Sequence, residues 1–162
     1  MKTFVIHSKK HGDHTVLYSD EDEGFISQYT WTIKIDKNNL YAITHAHGKN
    51  NKTLRFHRAI LGITDPNILV DHKDKNGLNN QRDNLRVCTK TGNQGNARKG
   101  QRGTSKYKGV YLNNDSGRWM AQLKGKEKRY SRSFITEEEA ALAYNKVALE
   151  YFGEFASLNV LS

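Results

Sequence analysis

Four side chains in the middle of the chain, Asp71, His72, Asn84 and Asn93, are of types that can hydrolyse a phosphodiester. That reaction needs a base to activate water, positive charge on the phosphate, and help for the leaving oxygen. His72 can be the base, because imidazole titrates near neutral pH. Asp71 supplies a hard oxygen for Mg²⁺ or Mn²⁺, which favour oxygen ligands. On a strand these two neighbours point to opposite sides. They cannot bind the same atom, but at a strand end they can flank one phosphate. A second protein ligand must come from elsewhere, and an asparagine oxygen serves. The plain alternative is that the Asp, Asn and Gly residues of 71–84 only build a turn-rich loop.

The elements that must position these groups read as strand, long loop, strand, short helix. Ile68-Leu69-Val70 leads into Asp71-His72, and a loop runs from Lys73 to Asn84. Leu85 to Cys88 is a second strand. Residues from about Lys90 to Arg98 form a helix that Gly92 and Gly95 make poor by propensity.

Val70-Asp71-His72-Lys73-Asp74-Lys75-Asn76-Gly77-Leu78-Asn79-Asn80-Gln81-Arg82-Asp83-Asn84-Leu85-Arg86 resembles the signature of the HNH (ββα-metal) endonucleases, especially their phage and intron-borne homing branch. The resemblance implies His72 as general base and Asp71 as first metal ligand. It implies that Asn84 pins the long loop and orients His72 through hydrogen bonds. The family's last motif residue, often His, follows that Asn by nine positions, where this chain has Asn93. Asn93 is therefore the expected second ligand and Asn96, one turn along, the runner-up. Asparagine in this place favours Mg²⁺, with Mn²⁺ able to substitute, over zinc. The expected mechanism uses one cation on Asp71 and Asn93 to stabilise the departing 3′ oxygen. Its products are 5′-phosphate and 3′-hydroxyl ends. Just upstream, His57-Arg58-Ala59-Ile60-Leu61 resembles the stretch common before this motif. Arg58 is a candidate phosphate contact, or equally one half of a surface ion pair.

The bulk numbers set the partner. The chain has 162 residues, a net charge of +9 and a pI near 9.6, which points to a polyanion. Residues 90–132 hold 12 Lys/Arg against 2 Asp/Glu, whereas residues 133–162 hold 1 against 5. The middle of the chain is the electrostatic footprint. Cys88 is the only cysteine, so an internal disulfide and a Cys-rich zinc module are excluded. Within Leu85-Arg86-Val87-Cys88 it reads as a buried, inert thiol. No apolar run approaches the ~20 residues that span a bilayer, and Met1 to Ile6 lacks a signal peptide's long apolar core. The expectation is an intracellular protein, in the cytoplasm of a bacterial or phage-infected cell.

The remaining segments divide the chain. Residues 1–64 read as a β-rich part, with strand runs at Phe4–Ile6, Thr15–Tyr18, Trp31–Ile35 and Tyr41–His45. Asp36-Lys37-Asn38-Asn39 looks like a hairpin turn. Leu54 to Leu61 reads as a strand end running into a short helix. Asp20-Glu21-Asp22-Glu23 reads as a solvated turn. His45 and His47 share a strand face, but no third zinc ligand is apparent. His7, His11 and His14 are assigned no chemistry. Together with the motif at 68–99, this makes a nuclease domain over residues 1–99. Residues 100–105 have linker composition.

Residues 106–162 read as a small three-stranded antiparallel sheet packed on one helix, so the fold class is α+β throughout. The strands fall at Tyr107–Leu112, Trp119–Lys124 and Arg129–Ile135, with turns at Asn113–Gly117 and Gly125-Lys126-Glu127. Thr136 and Glu139 make a capping box. Ala140, Tyr144, Val147, Ala148 and Tyr151 form an apolar stripe, and Gly153 is the stop. The stripe covers one sheet face and leaves the other free for some subset of Lys108, Tyr111, Arg118, Lys124, Lys128, Tyr130 and Arg132. A sheet face of this kind can read base edges in the major groove.

Tyr107-Lys108-Gly109-Val110, Arg118-Trp119-Met120-Ala121-Gln122-Leu123, Ser133-Phe134-Ile135-Thr136-Glu137-Glu138-Glu139-Ala140-Ala141, Ala143-Tyr144, Phe152-Gly153 and Leu158-Asn159 resemble the plant Apetala/ethylene-response-factor DNA-binding domain. By position, Lys108, Tyr111, Lys124, Lys128 and Tyr130 match that family's DNA-contacting sites, and Trp119 belongs to the core. The plant family has Arg where this chain has Lys108 and Tyr111, and a Trp near Asp115, so its target sequence does not carry over. The composite reading is a site-directed endonuclease acting on double-stranded DNA. The alternatives are a non-catalytic DNA-binding regulator on the same fold and an RNA binder, against which the lack of an exposed aromatic RNA-recognition motif argues. No protein partner and no membrane is implied. One active site per chain suits a nick; a double-strand break needs a homodimer or two sequential nicks by a monomer.

Overall fold

Alternation of apolar and polar side chains drives the first half into short strands. The computed structural model describes residues 1–36, 39–45, 53–100, 103–125 and 128–161. In chain order its elements are β1 (Lys2–Ser8), β2 (Gly12–Tyr18), α1 (Glu23–Ile26), β3 (Thr32–Asp36), β4 (Asn39–His45), β5 (Thr53–Arg55), α2 (Phe56–Ile60), β6 (Leu69–His72), β7 (Asn79–Asn80), β8 (Leu85–Cys88), α3 (Lys90–Asn96), β9 (Val110–Asn113), β10 (Arg118–Lys124), β11 (Arg129–Phe134) and α4 (Glu137–Phe152). The α+β class stands. Lys37, Asn38, Ala46, His47, Gln101, Arg102, Lys126 and Glu127 lie outside the described residues, and with them parts of the two expected turns, the His45/His47 pair and the linker. Among the described residues no helix is long and apolar enough to cross a membrane.

Chain contacts divide the protein into two units, Met1–Cys88 and Thr89–Ser162. In the first, the β1–β2 hairpin takes the two-residue β7 in parallel on its β2 edge. A second antiparallel sheet has the order β3-β4-β5, and β6 pairs with β8 alone. Ile6, Val16, Tyr18, Trp31, Phe56, Leu78 and Leu85 share one core. Trp31 and Phe56 pack with their rings tilted at 54° and centroids 4.8 Å apart. Leu78 and Leu85 belong to this core and flank the loop that carries Asn79, Asn80 and Asn84. The loop is thus anchored at both ends by apolar burial.

The expected solvated turn at Asp20–Glu23 is corrected by the structure. Asp22 is only 3% exposed and accepts from Arg82 Nε and Nη2 at 2.7–3.2 Å. Arg82 also donates to the Ile60 carbonyl at 2.8 Å. The partner lies 60 residues away in the chain, so local composition could not reveal it. Asp20 pairs instead with the N-terminal ammonium at 2.8 Å.

The second unit is the sheet β11-β10-β9 covered by α4, with α3 against the same helix. Thr136 and Glu139 form the expected capping box. Val110, Ala121, Leu123, Ala140, Tyr144 and Val147 make its core, with Trp119 packed against it. Helix α3 was expected in the first domain, within residues 1–99; it packs in the second unit, and the division falls at residue 88. Its two glycines are the physical reason. A Cβ at Gly95 would come within 2.7 Å of the Phe152 ring, and one at Gly92 within 3.0 Å of Phe155. Glycine's poor helix propensity is offset by this close approach. Gly95 O accepts from Ser157 N at 3.0 Å and from Lys108 Nζ at 2.6 Å, and Gln94 Nε2 donates to Lys124 O at 3.0 Å.

Gly95→Ala is therefore expected to destabilise the second unit by about 1–3 kcal/mol through overpacking, more than the ~1 kcal/mol of helix propensity it gains. Chemical denaturation of the whole chain checks this against Gly24→Ala, where a Cβ meets nothing within 4 Å.

Candidate active site and basic sheet face

The site begins with two strands and the loop between them. β6 and β8 pair with Asp71 opposite Arg86 and His72 opposite Leu85. Asp71 is 8% exposed and His72 4%. The next rung is closed by Lys73 N donating to Asn84 O at 2.9 Å. Asn84 then clasps the loop with its side chain. Its Oδ1 accepts from Asp74 N at 3.1 Å, and its Nδ2 donates to Asp74 Oδ1 at 3.0 Å and to Asn79 O at 2.8 Å. Asp74 also accepts from Asn76 N at 2.8 Å and from Asn79 Nδ2 at 2.7 Å. Burial alone would raise the Asp74 carboxyl, but the hydrogen bonds from Asn76, Asn79 and Asn84 outweigh it and hold it below its ordinary value.

The loop is docked on β4 from outside. Asn39 Oδ1 accepts from Gly77 N at 3.1 Å, and Asn39 Nδ2 donates to Lys75 O at 3.1 Å. A Cβ at Gly77 would stand 2.3 Å from Leu40 O, so only glycine fits there. This clamp brings β4 and the loop together around His72.

His72 sits in a cage of side chains that the sequence reading did not assign. Its Nε2 lies 3.3 Å from Oδ1 of Asn80, which is 0% exposed. A carboxamide oxygen can only accept, so this bond puts the proton on Nε2 and leaves the lone pair on Nδ1. The His57 ring stands edge-to-face to His72 at 4.9 Å between centroids, and Tyr41 lies 5.6 Å from His57 and 6.0 Å from His72. Burial lowers the His72 pKa below its ordinary 6.5, outweighing Asn80, Asp74 and Asp71. Burial, then His72, Arg55 and Arg58, push His57 well below the same value. Burial thus favours the neutral form of both imidazoles.

On the opposite side of β6, Asp71 Oδ2 accepts from Arg86 Nε at 3.2 Å and Nη2 at 2.9 Å. Asn84 was expected to pin the loop and to orient His72. It does the first directly. The side-chain hydrogen bond to the His72 ring comes from Asn80. Arg58 donates to Ile68 O and Asp65 O, both at 2.5 Å, and so staples the turn before β6. Cys88 is buried, and burial pushes its thiol up to about 11.

Among the described residues no three His, Cys, Asp or Glu side chains gather as a metal site. Asp71 nevertheless fits a hard divalent cation. It is a nearly buried carboxylate, and carboxylate oxygens are the hard donors that such a cation takes. Asn93 and Asn96 are on α3, in the second unit, where Asn96 is buried.

The second unit carries the basic face. In β10, Trp119, Ala121 and Leu123 face α4, so Arg118, Met120, Gln122 and Lys124 face away. Cross-strand partners share a face, which adds Tyr111 and Asn113 from β9 and Arg129, Ser131 and Ser133 from β11. Tyr111, Arg118 and Lys124 are thus where the sequence placed them. Tyr130 and Arg132 are corrected: they oppose Leu123 and Ala121, on the helix side, and Tyr130 packs against the core. Lys108 Nζ holds the Gly95 carbonyl. Lys128 lies 4.0 Å from Glu150 of α4. Gln122 and Arg129 were missed. The parity of the third strand depends on the hairpin register, and a one-residue slip exchanges its faces.

Comparison with known proteins gives the same two parts. Residues 59–94 match the HNH endonuclease family model. An HNH endonuclease of Acanthamoeba polyphaga mimivirus is 32% identical over 139 residues, which cover 83% of this chain and 68% of the viral protein. The chain belongs to the HNH endonuclease family. The matched stretch of this HNH protein runs across the division at residue 88. An AP2-like ethylene-responsive transcription factor of Arabidopsis thaliana is 47% identical over 58 residues, and APETALA2-like protein 2 of Oryza sativa 46% over 61. Each aligns with 36% of this chain, which spans only 17% and 14% of those proteins. No solved structure matches significantly.

Because the folded Asp74 pKa lies below its unfolded value of 3.8, its contribution to stability is fully present above that value and lost as pH falls through the folded one. Asp74→Asn should lower the melting temperature at pH 7, with the gap to the unsubstituted protein closing as pH falls from 3.8 through the lower folded-state pKa. A gap independent of pH would show that the charge is not the cause.

Proposed function

We propose that this nuclease cuts duplex DNA, with His72 as general base, and that the basic sheet face of the second unit holds the DNA. The observation that carries this reading is the placement of His72. It is buried, which favours the neutral ring, and its Nε2 lies 3.3 Å from the Asn80 carboxamide oxygen. A water that loses its proton to Nδ1 attacks the phosphorus, and the 3′ oxygen leaves on the far side. Asp71 would hold one divalent cation, Mg²⁺ or in its place Mn²⁺, and that cation would supply positive charge against the departing oxygen. Asn84 keeps the loop, and with it Asn80, at the height of His72. The family resemblance adds a phage or mobile-element homing role.

The test uses supercoiled DNA with Mg²⁺, with Mn²⁺ and with chelator. The unsubstituted protein should nick or linearise it only with metal. His72→Ala should abolish cutting, and Asn80→Ala should slow it about tenfold to a hundredfold while DNA retention stays unchanged. Retention without cutting under every condition would move the protein to a non-catalytic DNA-binding role.

The sheet face makes its own prediction. Arg118→Ala and Arg129→Ala should each weaken DNA binding and reduce the salt slope by about one. Arg132→Ala should change it less. Electrophoretic retardation across a salt series distinguishes them, and equal losses at all three would remove the face assignment.

A further inference from the structure

Arg86 is the residue whose position the nuclease reading leaves unexplained. The antiparallel register sets it directly opposite Asp71. Two of its donors, Nε and Nη2, converge on the single oxygen Oδ2 of that carboxylate at 3.2 and 2.9 Å. Both side chains are nearly buried. A guanidinium is charged at every accessible pH, and its fork of donors matches a carboxylate. The carboxylate on which a divalent cation would sit therefore already has a cation of its own. A hard metal must come within about 2.0–2.6 Å of a carboxylate oxygen. With Arg86 in place, two positive centres would then stand a few ångströms apart in a partly buried setting, where repulsion is stronger than in water.

We propose that Arg86 competes with the divalent metal for Asp71 and holds the metal affinity of the free protein down. This rests on the reading of Asp71 as a metal ligand and deepens it. Arg86 is a positioning residue here: it holds the Asp71 carboxylate fixed across the strand pair, and it yields only to a cation that outbids it.

The test reads metal binding, without DNA and without turnover. Free Mn²⁺ is followed by electron paramagnetic resonance as it is titrated with the whole protein, with Arg86→Gln and with Arg86→Gln/Asp71→Asn. Arg86→Gln should bind Mn²⁺ on the order of tenfold more tightly, and the second substitution should remove the gain. Equal or weaker binding by a folded Arg86→Gln protein overturns the proposal. A second measurement needs no variant. In a Mg²⁺ titration of the unsubstituted protein, the Arg86 Nε–H resonance should move to the position and exchange rate of a solvated arginine as the metal saturates. A resonance unmoved at saturation overturns the proposal as well. Tighter Mn²⁺ binding by Arg86→Gln together with no DNA cutting by the unsubstituted protein would sustain the competition and sink the nuclease mechanism, so the two failures are distinguishable.

Discussion

Asn84 makes three side-chain hydrogen bonds to the loop that precedes it, and each closes a different part of the site. The bonds to Asp74 N and Asp74 Oδ1 turn the chain back immediately after His72. The bond to Asn79 O fixes the residue just before Asn80. A twelve-residue separation between His72 and Asn84 would otherwise leave a long polar loop with a large closure entropy and nothing to order it. Asp74 multiplies the effect, because it also gathers Asn76 N and Asn79 Nδ2. The loop is thus a small polar core, satisfied by its own side chains, with Leu78 and Leu85 tying it to the apolar one. Remove the Asn84 clasp and the imidazole loses the wall that sets its tautomer.

How much of this was legible in the sequence follows from the range of each interaction. Asp71, His72 and Asn84 stand in a local pattern with fixed spacing, and the capping box at Thr136 and Glu139 lies within one helical turn. Those were readable. Arg86 was within reach too: once His72 pairs with Leu85, an antiparallel ladder places Asp71 opposite Arg86. His57 and Tyr41 reach His72 through the docking of β4 and α2, and Asp22 meets Arg82 across 60 residues. No periodicity encodes such meetings. Arg58 shows the converse limit. Its type suggests a phosphate contact, but two backbone carbonyls, at Asp65 and Ile68, already use its guanidinium.

The glycines of α3 illustrate how a weak local signal can carry a strong tertiary one. By propensity Gly92 and Gly95 argue against a helix. The rings of Phe155 and Phe152 occupy the space their side chains would need, and the Thr89 side chain caps the first turn by accepting from Gly92 N. The helix exists because another surface fits closely against it. The same contact explains why the packing unit and the family motif have different boundaries. The motif is defined by chemistry along the chain, the unit by which surfaces exclude water.

Asn80 shows what the site gives up for its base. Its Nδ2 is buried without a hydrogen-bond partner, an arrangement that costs about 1–3 kcal/mol. A leucine there would avoid that cost but offer His72 no acceptor. An aspartate would offer a better acceptor, but its negative charge beside the ring would favour the imidazolium. A protonated imidazole cannot take a proton from water. The carboxamide supplies the hydrogen bond without the charge. Burial favours the neutral His72 ring, Asn80 chooses which nitrogen carries the proton, and the orphaned amide is the cost of having both.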